Sequence, residues 1–104
     1  MSVVSVYAVF ADAEEAERIG RAVVEDRLAA CVNLLGSIRS IYRWKGAVEN
    51  AEEIAAIFKT SEDQVDALIT RIAGMHSYDV PCVVAWPIEK VLGSYSDWIE
   101  ESVG

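Results

Sequence analysis

This 104-residue sequence predicts an α+β fold, an antiparallel sheet of four strands with two helices on one face. Three observations predict it. Strand-like apolar runs and helix-like periodic runs follow one another in the order β-α-β-β-α-β, and a short helical run closes the chain. The two middle strand runs are joined by a tight turn, "KGAV" around Gly46, so they form a hairpin. Each remaining junction holds one helix. Right-handed crossovers then set the strand order 4-1-3-2, the ferredoxin-like split βαβ arrangement.

The elements justify themselves in order. "VVSVYAVF" (Val3–Phe10) is almost continuously apolar and rich in β-branched and aromatic residues, as suits a central strand covered on both faces. Asp12 followed by Glu15 forms a capping box. Ala16, Ile19, Val23 and Leu28 then keep helical spacing, with Glu14/Arg18 and Glu17/Arg21 as i,i+4 pairs on the wet face. In "SIRSIYRWK" the period becomes 2: Ile38, Ser40, Tyr42 and Trp44 share one face, and Arg39, Ile41, Arg43 and Lys45 the other. "VENAEEIAAIFKT" follows the turn. Its Ala and Glu also suit a helix, but its length matches the run before the turn, which favours strand. Thr60 or Ser61 is placed to cap the second helix, where Val65, Leu68, Ile69 and Ile72 build one apolar face and Gly74 suits the position just past its end. "PCVVAWPI" reads as a short buried strand between Pro81 and Pro87. "SYSDWIEESV" reads as a terminal helix burying Tyr95, Trp98 and Ile99.

The hairpin exceeds this plan. Each arm runs to about 13 residues, or ~40 Å, against about 5–6 residues for an ordinary strand. The excess leaves unpaired backbone and aromatic faces at an edge. A second copy of the chain would cover them, so the sequence leans toward an oligomer.

Composition narrows the function. A hydrophobic fraction of 53% excludes a disordered chain, and the length suits a single domain over residues 1–104. A net charge of −8 argues against nucleic acid, whose phosphates require an excess of Lys and Arg. No segment approaches the roughly 18 apolar residues of a membrane span. The N-terminus lacks a basic n-region and a small-residue cleavage pattern, so the chain as written is expected in the cytoplasm. Cys31 and Cys82 form neither a zinc motif nor a disulfide framework and are expected as buried free thiols. There is no nucleophile elbow, P-loop or iron–sulfur cysteine cluster.

His76 is the only histidine. It stands at a helix C-terminus, where an imidazolium is stabilised by the dipole. That position alone accounts for it and is the favoured reading; as a metal ligand it would need partners, Asp79 close in sequence and Glu49, Glu53 or Cys31 brought in only by folding. One nitrogen and hard oxygen donors would make a weak site for Cu²⁺ or Zn²⁺. Glu53 and Lys59 share a strand face but lie ~20 Å apart, so each must meet a group from another strand or chain. Trp44, Tyr42, Tyr78, Tyr95 and Trp98 are expected chiefly in core and interface packing.

Five blocks, "LAACVN" (Leu28–Asn33), "SIYRWKG" (Ser40–Gly46), Glu53 with Lys59–Thr60, "HSYDVP" (His76–Pro81) and Tyr95-x-x-Trp98-Ile99, resemble in order and spacing the CutA family of divalent-cation tolerance proteins. The resemblance covers nearly the whole chain. It implies a homotrimer of ferredoxin-like subunits, similar to the PII signalling proteins, with hairpins and terminal segments pairing between neighbours. It further implies a role in tolerance of copper and other divalent metals, no enzymatic activity, no required cofactor, and a functional cleft between subunits. By motif, Trp44, Glu53, Lys59, His76, Tyr78 and Tyr95 map to that cleft. The occupant would be a metal ion or small ligand; alternatives are a signalling module acting through a protein partner, or an enzyme using Glu53, Lys59 and His76. Two departures stand out. The family's His-Pro-Tyr reads His76-Ser77-Tyr78 here, and the cysteine that some members carry at the end of the first strand is replaced by the "AVFA" segment with Val9 and Phe10, which disfavours copper held by a thiolate.

Overall fold

The structure, a computed structural model, describes residues 2–104. The elements are β1 (Val3–Phe10), α1 (Ala13–Glu25), β2 (Cys31–Trp44), β3 (Ala47–Ser61), α2 (Val65–Met75), β4 (Val83–Pro87) and α3 (Gly93–Ser102). The sheet runs β2-β3-β1-β4, and every pair is antiparallel. This is the predicted 4-1-3-2 order, and the run from Val48 is strand. Structure at that segment is decided by pairing: its Glu and Ala residues follow the ladder with β2 rather than their helical preference.

The core lies between the sheet and helices α1 and α2. Val4, Val6, Ala8 and Phe10 alternate toward it from β1, and Ala56 and Phe58 from β3. Ala16, Ile19 and Val23 of α1 and Leu68 and Ile72 of α2 close it, all fully buried. Each large apolar side chain buried there contributes about 1.5–3 kcal/mol before entropy is counted. α1 approaches β2 so closely that a Cβ on Gly20 would stand 3.0 Å from Val32 Cγ1. The opposite sheet face carries α3 at one end only, where Ile99 packs with Val3 and Ala30. Arg27 fixes the end of α3 by donating to the carbonyls of Glu101 and Gly104 at 2.8 and 3.0 Å.

Several local expectations are corrected. α2 begins after Gln64, which makes no side-chain cap. Neither Thr60 nor Ser61 caps it, because β3 runs on to pair Ser61 with Val3 and the Thr60 hydroxyl donates to the Leu28 carbonyl at 2.7 Å. Gly74 lies inside α2, and His76 is the residue that ends the helix. Leu28 falls beyond α1 but still packs on the core. Of the two helical ion pairs only Glu17–Arg21 forms, at 3.6 Å on the surface. β4 is an exposed edge rather than a buried strand, with Val84 and Trp86 each 45% exposed, and Trp98 also faces outward. Cys82 is exposed and Cys31 half-buried, both as free thiols.

The hairpin is as long as its sequence suggests. Lys45 and Gly46 both adopt positive φ, 49° and 83°, as a two-residue hairpin turn requires. β3 pairs with β1 only from Ile54 onward, so the distal part of both arms projects beyond the sheet with only each other as partner. Ile41 and Val48 are 74% and 64% exposed there.

A bulge in β2 determines which face this hairpin presents. Leu34 pairs with Ala56, but Gly36 pairs with Ala55, so Leu35 is an extra residue and Gly36 takes φ 99°. Before the bulge, even-numbered residues such as Val32 face the helices. After it, Ile38, Ser40, Tyr42 and Trp44 face the open side of the sheet, the side of Tyr7 and Glu53. One residue has changed the face of the whole distal arm.

Candidate functional site

The open sheet face holds a cavity of about 700 Å³ next to the end of β1. β1 supplies Tyr7 and Val9. The distal arm of β2 supplies Ile38, Tyr42 and Trp44, brought to this face by the bulge. β3 supplies Glu53, and the loop between α2 and β4 supplies Tyr78, Asp79 and Val80. The site is thus mostly aromatic and aliphatic, with two carboxylates.

Glu53 lies one residue beyond the last β1–β3 pair, Phe10 with Ile54, in the space left where β1 turns into α1. It is only 8% exposed. Its Oε2 accepts the Tyr78 hydroxyl at 2.7 Å. Oε1 has no protein partner among the described residues and is left to the cavity. Burial, reinforced by the Glu53 carboxylate, holds the Tyr78 phenol well above the usual tyrosine range. Tyr78 is therefore a fixed donor. Although Cys82 is exposed as a residue, partial desolvation of its thiol and the same carboxylate push it up as well, away from the thiolate that binds soft metals.

His76 does not line this cavity; it holds the loop that does. Its Nε2 donates to the Val9 carbonyl at 2.7 Å, and its Nδ1 accepts from the Tyr78 amide at 3.1 Å. The two bonds together define a neutral imidazole with Nε2 protonated. Its ring stacks on Phe10, centroids 5.2 Å apart, and lies 4.8 Å from Tyr78. The expected imidazolium at a helix end is not what these bonds fit, since a protonated Nδ1 could not accept from Tyr78.

Glu15 anchors the other side of the loop. The predicted capping box forms in part: the Glu15 amide donates to Asp12 Oδ1 at 2.8 Å. The Glu15 carboxylate reaches past Asp12, taking the Ala11 amide at 3.1 Å and the Ser77 amide at 2.8 Å. Burial pushes this carboxyl up, but the hydrogen bonds from Ser77 and Ala11 outweigh it and hold it below the ordinary value. A proline at position 77 would lack the N–H that Ser77 donates to Glu15, so serine here gives the loop a tether.

The other predicted site residues lie apart. Lys59 pairs with Cys31 across β3 and β2 and donates to Asn33 Oδ1 at 2.8 Å. The Tyr95 hydroxyl meets Cys31 Sγ at 3.5 Å. That contact, with burial, leaves the phenol pushed up to about 12. Trp44, Glu53, Tyr78 and Asp79 therefore form one group, and Lys59 and Tyr95 a second near α3. A reaction needing Glu53, Lys59 and His76 together finds no such grouping in one subunit. Sequence reasoning missed Tyr7, Ile38 and Tyr42 as cavity walls and Glu15 as a loop anchor. The isolated Gly36 within a strand run was the available signal for the bulge.

As a metal centre, one subunit fits poorly. Both His76 nitrogens are engaged, the Cys82 thiol is held protonated, and Glu53 offers one free oxygen beside Asp79. No three His, Cys, Asp or Glu side chains among the described residues stand close enough to share an ion, and durable sites need at least three protein donors.

Fold and site together define a ferredoxin-like α+β protein with a ligand-sized cavity on its open sheet face. The chain belongs to the CutA1 divalent ion tolerance family, whose model matches residues 4–102. It is 44% identical over 90 residues to the divalent-cation tolerance protein CutA of Archaeoglobus fulgidus, covering 86% of this chain and 87% of that one. With the Thermotoga maritima protein of the same name it shares 42% over 98 residues, 94% and 96% of the two chains. The crystal structure of CutA from Xylella fastidiosa superposes with a TM-score of 0.97 at 36% identity, covering both chains completely. That of the periplasmic divalent cation tolerance protein CutA from Archaeoglobus fulgidus gives 0.94 at 40%, covering 98% and 99%.

Proposed function

We propose that the chain works as a non-enzymatic homotrimer in tolerance of, or response to, divalent cations, copper among them. Its working site is the open-face cavity, completed by a neighbouring copy. One observation carries this reading: the apolar surface that a lone subunit exposes. The projecting hairpin displays Ile41, Tyr42, Trp44 and Val48, and the free edge β4 displays Val84 and Trp86. Two open edges and a projecting ribbon are the liabilities that strand pairing between copies removes. Such pairing would bring a neighbour's donors toward Glu53 and Asp79, supplying what one subunit lacks for a bound ion.

A cytoplasmic location is part of this proposal; among the described residues no helix is long and apolar enough to cross a membrane. Calorimetric titration of Cu²⁺ and Zn²⁺ into the assembled protein tests the site. Binding is expected to be weak and to fall at least fivefold in Glu53→Gln and Asp79→Asn. Replacing His76 with Ala should act through the loop, lowering stability more than affinity. Affinity lost in His76→Ala but kept in both carboxylate variants would return the metal to the histidine and refute this placement.

A further inference from the structure

We propose that the open-face cavity binds a small organic cation, an ammonium or guanidinium group on an apolar body, with Glu53 Oε1 as its counter-charge and the rings of Tyr7, Tyr42, Trp44 and Tyr78 as its walls. The inference rests on the reading of this cavity as the working site and names the chemistry of its occupant.

The walls come first. Four aromatic rings from three separate segments converge on one space of about 700 Å³, within the range of small-molecule sites. Aromatic faces carry negative electrostatic potential and attract cations within about 6 Å of the ring centroid. Trp44 already shows this: Lys45 Nζ stands 5.7 Å from its ring centroid. Tyr7 is braced from outside by Trp86, stacked at 6.1 Å, so its ring is fixed before any ligand arrives.

The floor comes second. Glu53 is nine-tenths buried, an unusual place for a carboxylate without an opposing cation. Among the described residues no Lys, Arg or His forms an ion pair with it. Tyr78 satisfies Oε2 alone, and Asp79 adds a second carboxylate at the rim. Arg43 also borders the space, but strand alternation assigns its side chain to the helix-side face, since it pairs with Val48. The space is thus acidic and aromatic. An anion would meet two carboxylates. Within one chain a bare metal ion would find too few donors to replace its tightly held water, and it depends on those a neighbour would bring. A weakly hydrated organic cation matches both walls and floor.

The test uses tetramethylammonium as probe and tert-butanol, of the same shape but neutral, as control. Both are titrated into the assembled protein at constant ionic strength, and the Trp44 indole N–H is followed by NMR. Tetramethylammonium should shift that signal saturably and tert-butanol should not. Glu53→Gln, which keeps the size and an acceptor for Tyr78, should weaken the response at least fivefold; Trp98→Phe, outside the cavity, should leave it unchanged. Equal responses to the two probes, or full response in Glu53→Gln, would overturn the proposal. The functional reading is tested separately by metal titration. Copper bound at the carboxylates without any tetramethylammonium response would leave that reading standing and overturn this one.

Discussion

Replacing Tyr78 with Phe removes one oxygen and one hydrogen bond, and the structure sets the cost. The bond is short, 2.7 Å, and its acceptor Glu53 is 8% exposed. Hydrogen bonds to charged groups contribute about 1.5–3 kcal/mol. Here the other carboxylate oxygen faces the cavity, where water or a ligand partly compensates, so the lower end applies and Tyr78→Phe should cost about 1.5 kcal/mol. In a double-mutant cycle with Glu53→Ala the coupling should be about 1–2 kcal/mol. The gap should persist between about pH 6 and 9, below the usual tyrosine value of about 10, because burial and Glu53 push the phenol up. Urea unfolding at one fixed protein concentration measures it, since the proposed self-association would make stability depend on concentration. A coupling below about 0.3 kcal/mol, within the scatter of independent sites, would refute the bond as a tie of the loop to the sheet.

Other outcomes are equally definite. Glu15→Ala should lose about 2–3 kcal/mol at neutral pH, for two backbone bonds to a charged acceptor. Because the folded carboxyl is held below the ordinary value of 4.5, its contribution is complete above that pH and disappears as pH falls through the lower folded value; acid unfolding should show a flatter curve in the variant over that window. Gly36→Ala should cost about 1–2 kcal/mol, purely from backbone, since φ is 99° and a Cβ there meets nothing within 4 Å. Gly74→Ala should instead gain about 0.5–1 kcal/mol, as Gly74 sits inside α2 with equal room for a Cβ. Thermal unfolding of the two glycine variants side by side checks both signs.

The parts legible in the sequence were those set locally or by simple periodicity. β1 could be read because every residue from Val3 to Phe10 suits a two-sided strand, and Asp12 with Glu15 marks a helix start by direct hydrogen bonding. What escaped was set by distant partners. Ser61 stayed in β3 because Val3 pairs with it, so the cap signal at Thr60–Ser61 was overridden. Gly74 stayed helical because α2 continues to Met75, and nothing local announced that. β4 looked buried because Val83, Val84 and Trp86 are apolar, but it forms an edge. At the site, the resemblance places Trp44, Glu53, Lys59, His76, Tyr78 and Tyr95 in one cleft between subunits; within a single chain Trp44, Glu53, Tyr78 and Asp79 line one cavity, and Lys59 and Tyr95 lie elsewhere. The role of His76 turned on its ring nitrogens: two hydrogen bonds, one donated by Nε2 and one accepted by Nδ1, were invisible until Val9 and Tyr78 were placed beside it.

The most direct measurement is the mass of the particle in solution. Sedimentation equilibrium at micromolar concentration should give a single species of three times the 11.4 kDa chain mass, with the exposed hairpin and β4 edge covered. A folded species of one chain mass at that concentration would contradict it, leaving Ile41, Trp44, Val48 and Trp86 open to water and the cavity without a neighbour to complete it.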